Sequence, residues 1–573
     1  MIPWLVKRMP SARARAPPGA VTCVSPRSPP DSSVVYTGFP GLHDNSPPEP
    51  DASAPPLPTE ATVTAIFRST AAAAVVLLAS TLAPTVRAGT HPSSNATSYD
   101  HTRLLAGHLL RRAGFGPSPK DMKAVLKRGL AGWIDWQLNP DRIDDSAAAA
   151  RFAPPPREHD ARDTHQWIRR WYPRMTYSRR QLLEKMTLVW HEHFAASAAK
   201  VYDGRFMSRY EELLRRNALG NFRQMIVDIT RDDAMLVWLD NDPNNGQAYD
   251  DHGNLIPPNE NYARELLQLF TMGPVQLNLD GSPILGNDGE PLPNYTESDV
   301  REVARALTGW DADWENARDA IFYPGEHDPN DKTIMGTLVR GRPGDDGIHE
   351  VEDVADVIMR HPSTAPFISR ELILRLATEN PTPGYIARVA TVFKNTNGDL
   401  KATVRAILTD AEFTSDLVVR TQFKTPIEQF IGPIRALEGT TAGNSLLDWT
   451  HDAKHLVYYP PSVFSFFRPG QKRSLVNTAL AITRDSVGDE VTNGYVDSDG
   501  YRDTAFDARR LIHKYKLRTP DQAVTYLAGA LLEADIRPEV RQIVLNYMEG
   551  RVDETKFRGA AWLIICSPEF QRN

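Results

Sequence analysis

The residues best suited to chemistry lie in the phrase Trp190-His191-Glu192-His193-Phe194. Imidazoles beside a carboxylate are common metal ligands and acid–base groups. Their spacing limits what they can do together. Residues two apart share a face of a strand, but on a helix they point about 200° apart. A regular helix therefore cannot aim both histidines at one metal ion. His191 follows the face of Thr187 and Glu184, while His193 follows the apolar line of Met186 and Val189. Two readings stand: both histidines are hydrogen-bonded within a helix-packed core, or one is a metal ligand or proton carrier.

A second phrase, Asn259-Glu260-Asn261-Tyr262-Ala263-Arg264-Glu265, opens a helix with Asn259 as its expected cap. Glu260 and Arg264 stand four apart, as do Asn261 and Glu265. This is either a self-paired polar face or a helix presenting Glu260 or Glu265 to the histidine helix as ligand or general base. His327-Asp328 and Lys332 fall in a loop after the Pro324-Gly325 turn, where a site could be placed or a loop locked. His108 and Arg112 could bind an anion or cover a helix junction. The catalytic candidates are thus His191, His193, Glu260, Glu265 and His327. A metal would draw on His191, Glu265 and Asp328, and a divalent cation is the cofactor such groups would take.

Other chemistry is excluded or weakened by spacing. The acidic stretch Asp240 to Gly246, continuing to Asp250-Asp251, has its glycine at the seventh loop position and an aspartate at the twelfth, so it is not an EF-hand. It reads as a solvated turn or an oxygen-rich cation site. There is no Gly-x-Ser-x-Gly elbow, dinucleotide-binding pattern or phosphate loop. Cys566 lies in the apolar run Trp562 to Cys566, the setting of an inert buried thiol.

The elements that must position these groups are helices. Ser118-Pro119-Lys120-Asp121 and Thr296-Glu297-Ser298-Asp299 are helix starts. Apolar residues recur at helical spacing from 119 to 138, from 179 to about 199, from 296 to near 309, and in shorter segments from 351 to 565. Strand signals concentrate at 275–295, where Asp280-Gly281 and Asp288-Gly289 suit hairpin turns. The expected fold is all-α, a single large module over 101–570 with a small β-hairpin insertion near 275–295.

The 573 residues are 41% hydrophobic and 24% charged, which supports a sizeable core. A net charge of −7 gives no general attraction to nucleic acid or anionic lipid. Arg169-Arg170 and Arg179-Arg180 read as solvated helix faces. Residues 1–60 hold 14 of the 45 prolines and no apolar period, the composition of a leader that cannot fold. The apolar run Ala71 to Ala83 is too short to span a bilayer, and Val86-x-Ala88 suits a cleavage site. The expected organisation is a proline-rich leader at 1–66, a signal peptide at 67–88, a linker at 89–100, then the module. Localisation follows: exported, to the periplasm or outside the cell, with no stable membrane span after cleavage.

Several phrases carry a resemblance in their order. They are His108 to Gly116, Lys185 to Phe194, Pro258 to Leu267, Tyr295 to Arg301 with Ala304 to Trp310, and His327-Asp328 with Lys332 and Gly336. Together they resemble the bacterial domain of unknown function 1800, over about 470 residues. The phrase Pro460 to Gly470 departs from that family's commoner form, which has a Gly-Trp pair. The resemblance implies exported, mostly helical proteins, often encoded beside a secreted sulfatase-like family, and it brings no reaction. Two functions remain open: a binding or assembly protein working with a secreted partner, or an exported hydrolase built on histidine and glutamate.

Overall fold

A computed structural model describes residues 101–467, 472, 477–496 and 502–573. The leader, signal peptide and linker expected over 1–100 lie outside the described residues, as do 468–470 of the Pro460 to Gly470 phrase. The chain is a succession of helices with three two-stranded antiparallel pairs, so the all-α expectation holds. All described residues fall within one compact unit.

Local chemistry accounts for the helix boundaries. Ser118 accepts from the Asp121 amide and starts Pro119–Gln137. Thr296 and Asp299 close a reciprocal capping box before Glu297–Ala306, and Thr425 with Glu428 does the same before Pro426–Ala436. The histidine helix is shorter than its pattern, running Gln181–Phe194. Ala195 adopts φ 49° and ends it. Ser197 then caps a separate turn, Ala198–Val201.

The insertion differs from a simple hairpin. Residues 275–293 make three isolated bridges, Val275 with Pro293, Leu277 with Pro283, and Leu285 with Pro291. Each bridge contains a proline at a position whose N–H takes no part in the pairing, and Gln276 donates to Leu292, Leu292 to Ile284 and Ile284 to Gln276, so no two segments share a continuous ladder. The insertion is anchored by Asn294, buried to 6% exposure. Its amide reaches the carbonyls of Met272, Gly273 and Val275, and its Oδ1 accepts from Ser363. The regular hairpin lies elsewhere: Lys332–Ile334 pairs with Thr337–Val339 across Met335 and Gly336, both at positive φ.

Two hydrophobic cores fill the unit. The larger gathers Trp133, Trp171, Trp190, Phe194, Phe222 and Tyr385 with residues from most helices between 101 and 452. The smaller joins Leu437 and Phe506 to the last helices, through Val524, Phe557 and Phe570. Cys566 is a free, buried thiol, pushed up by burial and by the neighbouring Asp485.

Asn294→Ala should destabilise the protein by about 2 to 3 kcal/mol in a denaturant titration, because it leaves buried carbonyls and the Ser363 hydroxyl without a partner. A loss below about 0.5 kcal/mol would show that the insertion is held by other contacts.

Candidate functional site

The three polar residues of the Trp190 to Phe194 phrase go to three separate partners, as their angular spacing requires. His191 is fully buried, and its Nε2 accepts from the Tyr458 backbone N–H at 3.1 Å. That bond puts the ring proton on Nδ1, which has no hydrogen-bond partner among the described residues. Edge-on contacts with Trp171 and Tyr210 complete its surroundings, and burial drives its pKa down to about 3. His193 faces the Phe270 carbonyl through Nε2 at 2.9 Å, and burial with Arg375 nearby lowers it to about 4. Both imidazoles are neutral at ordinary pH. Glu192 turns to His455, at 3.2 Å.

The helix expected to face them starts later than its pattern. Its residues are Asn261–Glu265, and Asn259 closes the turn before it by accepting from the Asn261 amide at 2.9 Å. It continues as a π-helical turn, Leu266–Thr271. The Phe270 carbonyl bonded to His193 belongs to this turn, so the two helices do meet. They meet through packing and one hydrogen bond. Glu260 and Glu297 both pair with Arg264, at 2.9 Å and 2.8 Å. Glu265 is half-buried and held above its ordinary range by burial, which Arg264 opposes.

His327 and Asp328 close a different knot. His327 places Nδ1 3.1 Å from the Thr308 carbonyl and Nε2 3.2 Å from Glu350. Lys332 pairs with Glu350 at 2.6 Å, and Arg305 with Asp328 at 2.6 Å. His108 and Arg112 sit at a helix junction, bonded to the carbonyls of Phe413, Arg375 and Leu376. The acidic loop from Asp240 divides: Asn241 and Asn244 are buried and Asp242 accepts from Ala312 N–H and Trp314 Nε1, while Asp240 and the continuation Asp250-Asp251 are exposed as in a solvated turn. The metal candidates His191, Glu265 and Asp328 share no partner. Among the described residues no three His, Cys, Asp or Glu side chains gather as a metal site requires.

What the structure gathers instead is charge around a cavity of about 610 Å³. Its walls come from the helices Thr164–Tyr177, Gly204–Asn217 and Phe222–Thr230, the start of Asp233–Trp238, and residues 318–320 and 348. Six arginines line it: Arg170, Arg174, Arg209, Arg216, Arg231 and Arg318. Arg174 pairs with Glu212, Arg209 with Asp319 and Arg231 with Glu352. Arg170, Arg216 and Arg318 form no ion pair among the described residues. Arg170 is half-buried rather than solvated, because its Nε donates to Ala153 O. On the same wall Arg231 Nε and Trp310 Nε1 are buried donors without an acceptor among the described residues.

A buried ion network ties this wall to the histidine helix. Arg215 holds Glu184 through two bonds near 3 Å, and also pairs with Glu211 and Glu212. Glu211 accepts from the Tyr458 hydroxyl. Tyr458, at φ 70°, is the residue whose N–H reaches His191. The sequence signal therefore marked the support of the cavity rather than its lining. Adjacent Arg231-Asp232-Asp233 at a helix start was the local clue that passed unread.

Residues 108–572 match the family described as "Protein of unknown function (DUF1800)". The chain belongs to this family. No curated protein and no solved structure matches it.

In this DUF1800 member the cavity acids are tuned unequally. Asp232 is buried, and burial with the adjacent Asp233 pushes its pKa up to about 8. Asp233 accepts from the Asp313 amide at 3.0 Å and is raised by burial to about 6. Burial pushes Glu212 up, but Arg215 and Arg174 outweigh it and hold the carboxyl below its ordinary range. With Asp232 protonated at neutral pH, the lining arginines outnumber the ionised acids.

Asp232 is more readily protonated in the folded chain than its ordinary value of 3.8, so its contribution to stability is complete below about pH 3.8 and lost as pH rises through about 8. Asp232→Asn keeps a cap for Met235 and cannot ionise. The variant's stability relative to the parent should rise between pH 5 and pH 9 in denaturant titrations. A difference constant over that range would contradict the assignment.

Proposed function

We propose that this protein is an exported binding protein that holds a small organic anion in the charged cavity. One observation supports the reading: the wall presents unpaired arginines together with two buried donors, Arg231 Nε and Trp310 Nε1, that find no acceptor among the described residues. A buried donor left unsatisfied costs about 1–3 kcal/mol, and an anion supplies acceptors and charge at once. The volume suits a metabolite-sized ligand, since small-molecule sites occupy roughly 300–1,000 Å³. Trp167 offers apolar surface for its carbon skeleton. Export belongs to the same reading and rests on the apolar run Ala71 to Ala83 with Val86-x-Ala88. So does a secreted sulfatase-like partner, which rests on the family resemblance alone. Among the described residues no helix is long and apolar enough to cross a membrane.

A second reading, an exported hydrolase, is favoured by Asp232. A carboxyl held protonated at neutral pH beside a more acidic one is the arrangement of a general acid and its partner. In that case Asp232→Asn would abolish turnover while leaving anion binding in place.

Calorimetric titration with citrate at fixed ionic strength should detect binding to the parent protein. The double variant Arg170→Gln, Arg318→Gln should bind about tenfold or more weakly, since each charge-assisted bond contributes roughly 1.5–3 kcal/mol. Equal affinity in parent and variant would place the anion elsewhere.

A further inference from the structure

The charged cavity is lined by six acidic residues as well as its arginines. Four of the acids are already engaged. Glu211 and Glu212 pair with Arg215, Asp319 pairs with Arg209, and Asp228 accepts from the side-chain amides of Asn217 and Gln224, both at 2.7 Å. Asp232 and Asp233 are both buried and form no ion pair among the described residues. The first accepts from the Met235 amide at 3.1 Å and the second from the Asp313 amide at 3.0 Å.

Every element packed on this pair leaves it short of positive charge. The helix Gly204–Asn217 brings Arg209, which attracts both carboxyls but is bonded to Asp319. It also brings the Tyr210 phenol, kept neutral by burial, as is Tyr262 of Asn261–Glu265. Asp313 and Asp319 repel a charge on Asp233, while Asp311 answers to Asp242 and Glu326 instead. Arg231, next to the pair in sequence, donates to Glu352 and to the Ile348 carbonyl, both at 2.7 Å. Lys200 of the turn Ala198–Val201 reaches the Trp238 carbonyl at the far end of Asp233–Trp238. Burial accordingly holds both carboxyls above the ordinary range, Asp232 at about 8 and Asp233 at about 6.

A sphere of about 610 Å³ is about 10 Å across, close to one screening length, so a bound anion feels both carboxyls. We propose that the cavity takes up its anion together with a proton, carried by the Asp232–Asp233 pair, and releases both when the pair ionises. This inference rests on the anion reading of the cavity. Once ionised, the pair is an internal counter-charge for Arg170, Arg216 and Arg318, and it competes with the ligand for them. Protonated, it leaves those arginines to the ligand. Linkage makes the effect reciprocal: an anion bound beside the pair raises its proton affinity, so binding draws a proton from solution. Affinity is therefore highest at low pH and falls as pH rises through about 6 and then about 8.

The probe is selenate, whose charge is constant from pH 5 to pH 9, titrated calorimetrically into the full chain in amine buffers at fixed ionic strength. Its affinity for the parent should fall about tenfold or more over that range. Between pH 7 and pH 8 the binding heat should vary with the ionisation heat of the buffer, in the sense of proton uptake. The double variant Asp232→Asn, Asp233→Asn keeps both oxygen acceptors and cannot ionise, and its affinity should change less than about threefold. Should it fail to fold, the proton uptake of the parent decides. Equal parent affinity at pH 5 and pH 9, no proton uptake, or the same fall in the double variant would each overturn the proposal and leave the anion site standing. Selenate bound at neither pH would remove the anion site itself, and this proposal with it.

Discussion

The Arg215 guanidinium, set among Glu184, Glu211 and Glu212, is the interaction on which the rest of the site depends. Glu184 sits on the histidine helix and the other two acids on the helix that carries Arg215 itself. None of the buried members could be charged alone, because the desolvation of an isolated ion costs far more than one hydrogen bond returns. Together they fix the two helices and seat the Tyr458 hydroxyl on Glu211. Because Arg215 and Arg174 supply the counter-charge for Glu211 and Glu212, these two acids are already paired, and among the described residues Arg170, Arg216 and Arg318 have no carboxylate partner. The positive character of the cavity is a consequence of that division.

Tyr458 transmits the arrangement to the histidine helix. Its left-handed backbone lets one residue offer its N–H to His191, its carbonyl to Ala198 and its hydroxyl to Glu211. Such backbone strain persists only where surrounding contacts over-determine it. His191 contributes by being neutral: a charged imidazole could not accept from Tyr458. On the other side of the same helix, His193 uses the carbonyl of Phe270 in the π-helical turn after Glu265. The phrase that looked catalytic in the sequence thus holds three neighbouring parts of the fold in register.

The helical architecture was legible because its signals are local. Ser118, Thr296 and Thr425 each accept from a backbone amide three residues on, and such pairs can be read from four letters. The divergence of His191 and His193 followed from helix geometry alone. The insertion at 275–293 was half legible: its turns were visible, but the three-way bonding of Gln276, Ile284 and Leu292 that leaves only single bridges was not. The end of the histidine helix at Ala195 was hidden, because nothing in an alanine announces a positive φ. The cavity was illegible for a different reason. Arg170, Arg216 and Arg318 come from separate stretches, and each alone looks like a solvated surface cation. Only the tertiary fold shows that they lack carboxylate partners while Arg174 and Arg215 have them.

The module belongs to a family of unknown function, and the proposed anion site rests on the unbalanced donors of its cavity. The most direct measurement is an anomalous difference map from a crystal grown in selenate, a dianion whose position can be seen without knowing the natural ligand. Anion binding at this site requires a selenate peak inside the cavity, within hydrogen-bond reach of Arg231 and Trp310. Selenate confined to the outer surface, with those donors satisfied by water, would contradict it.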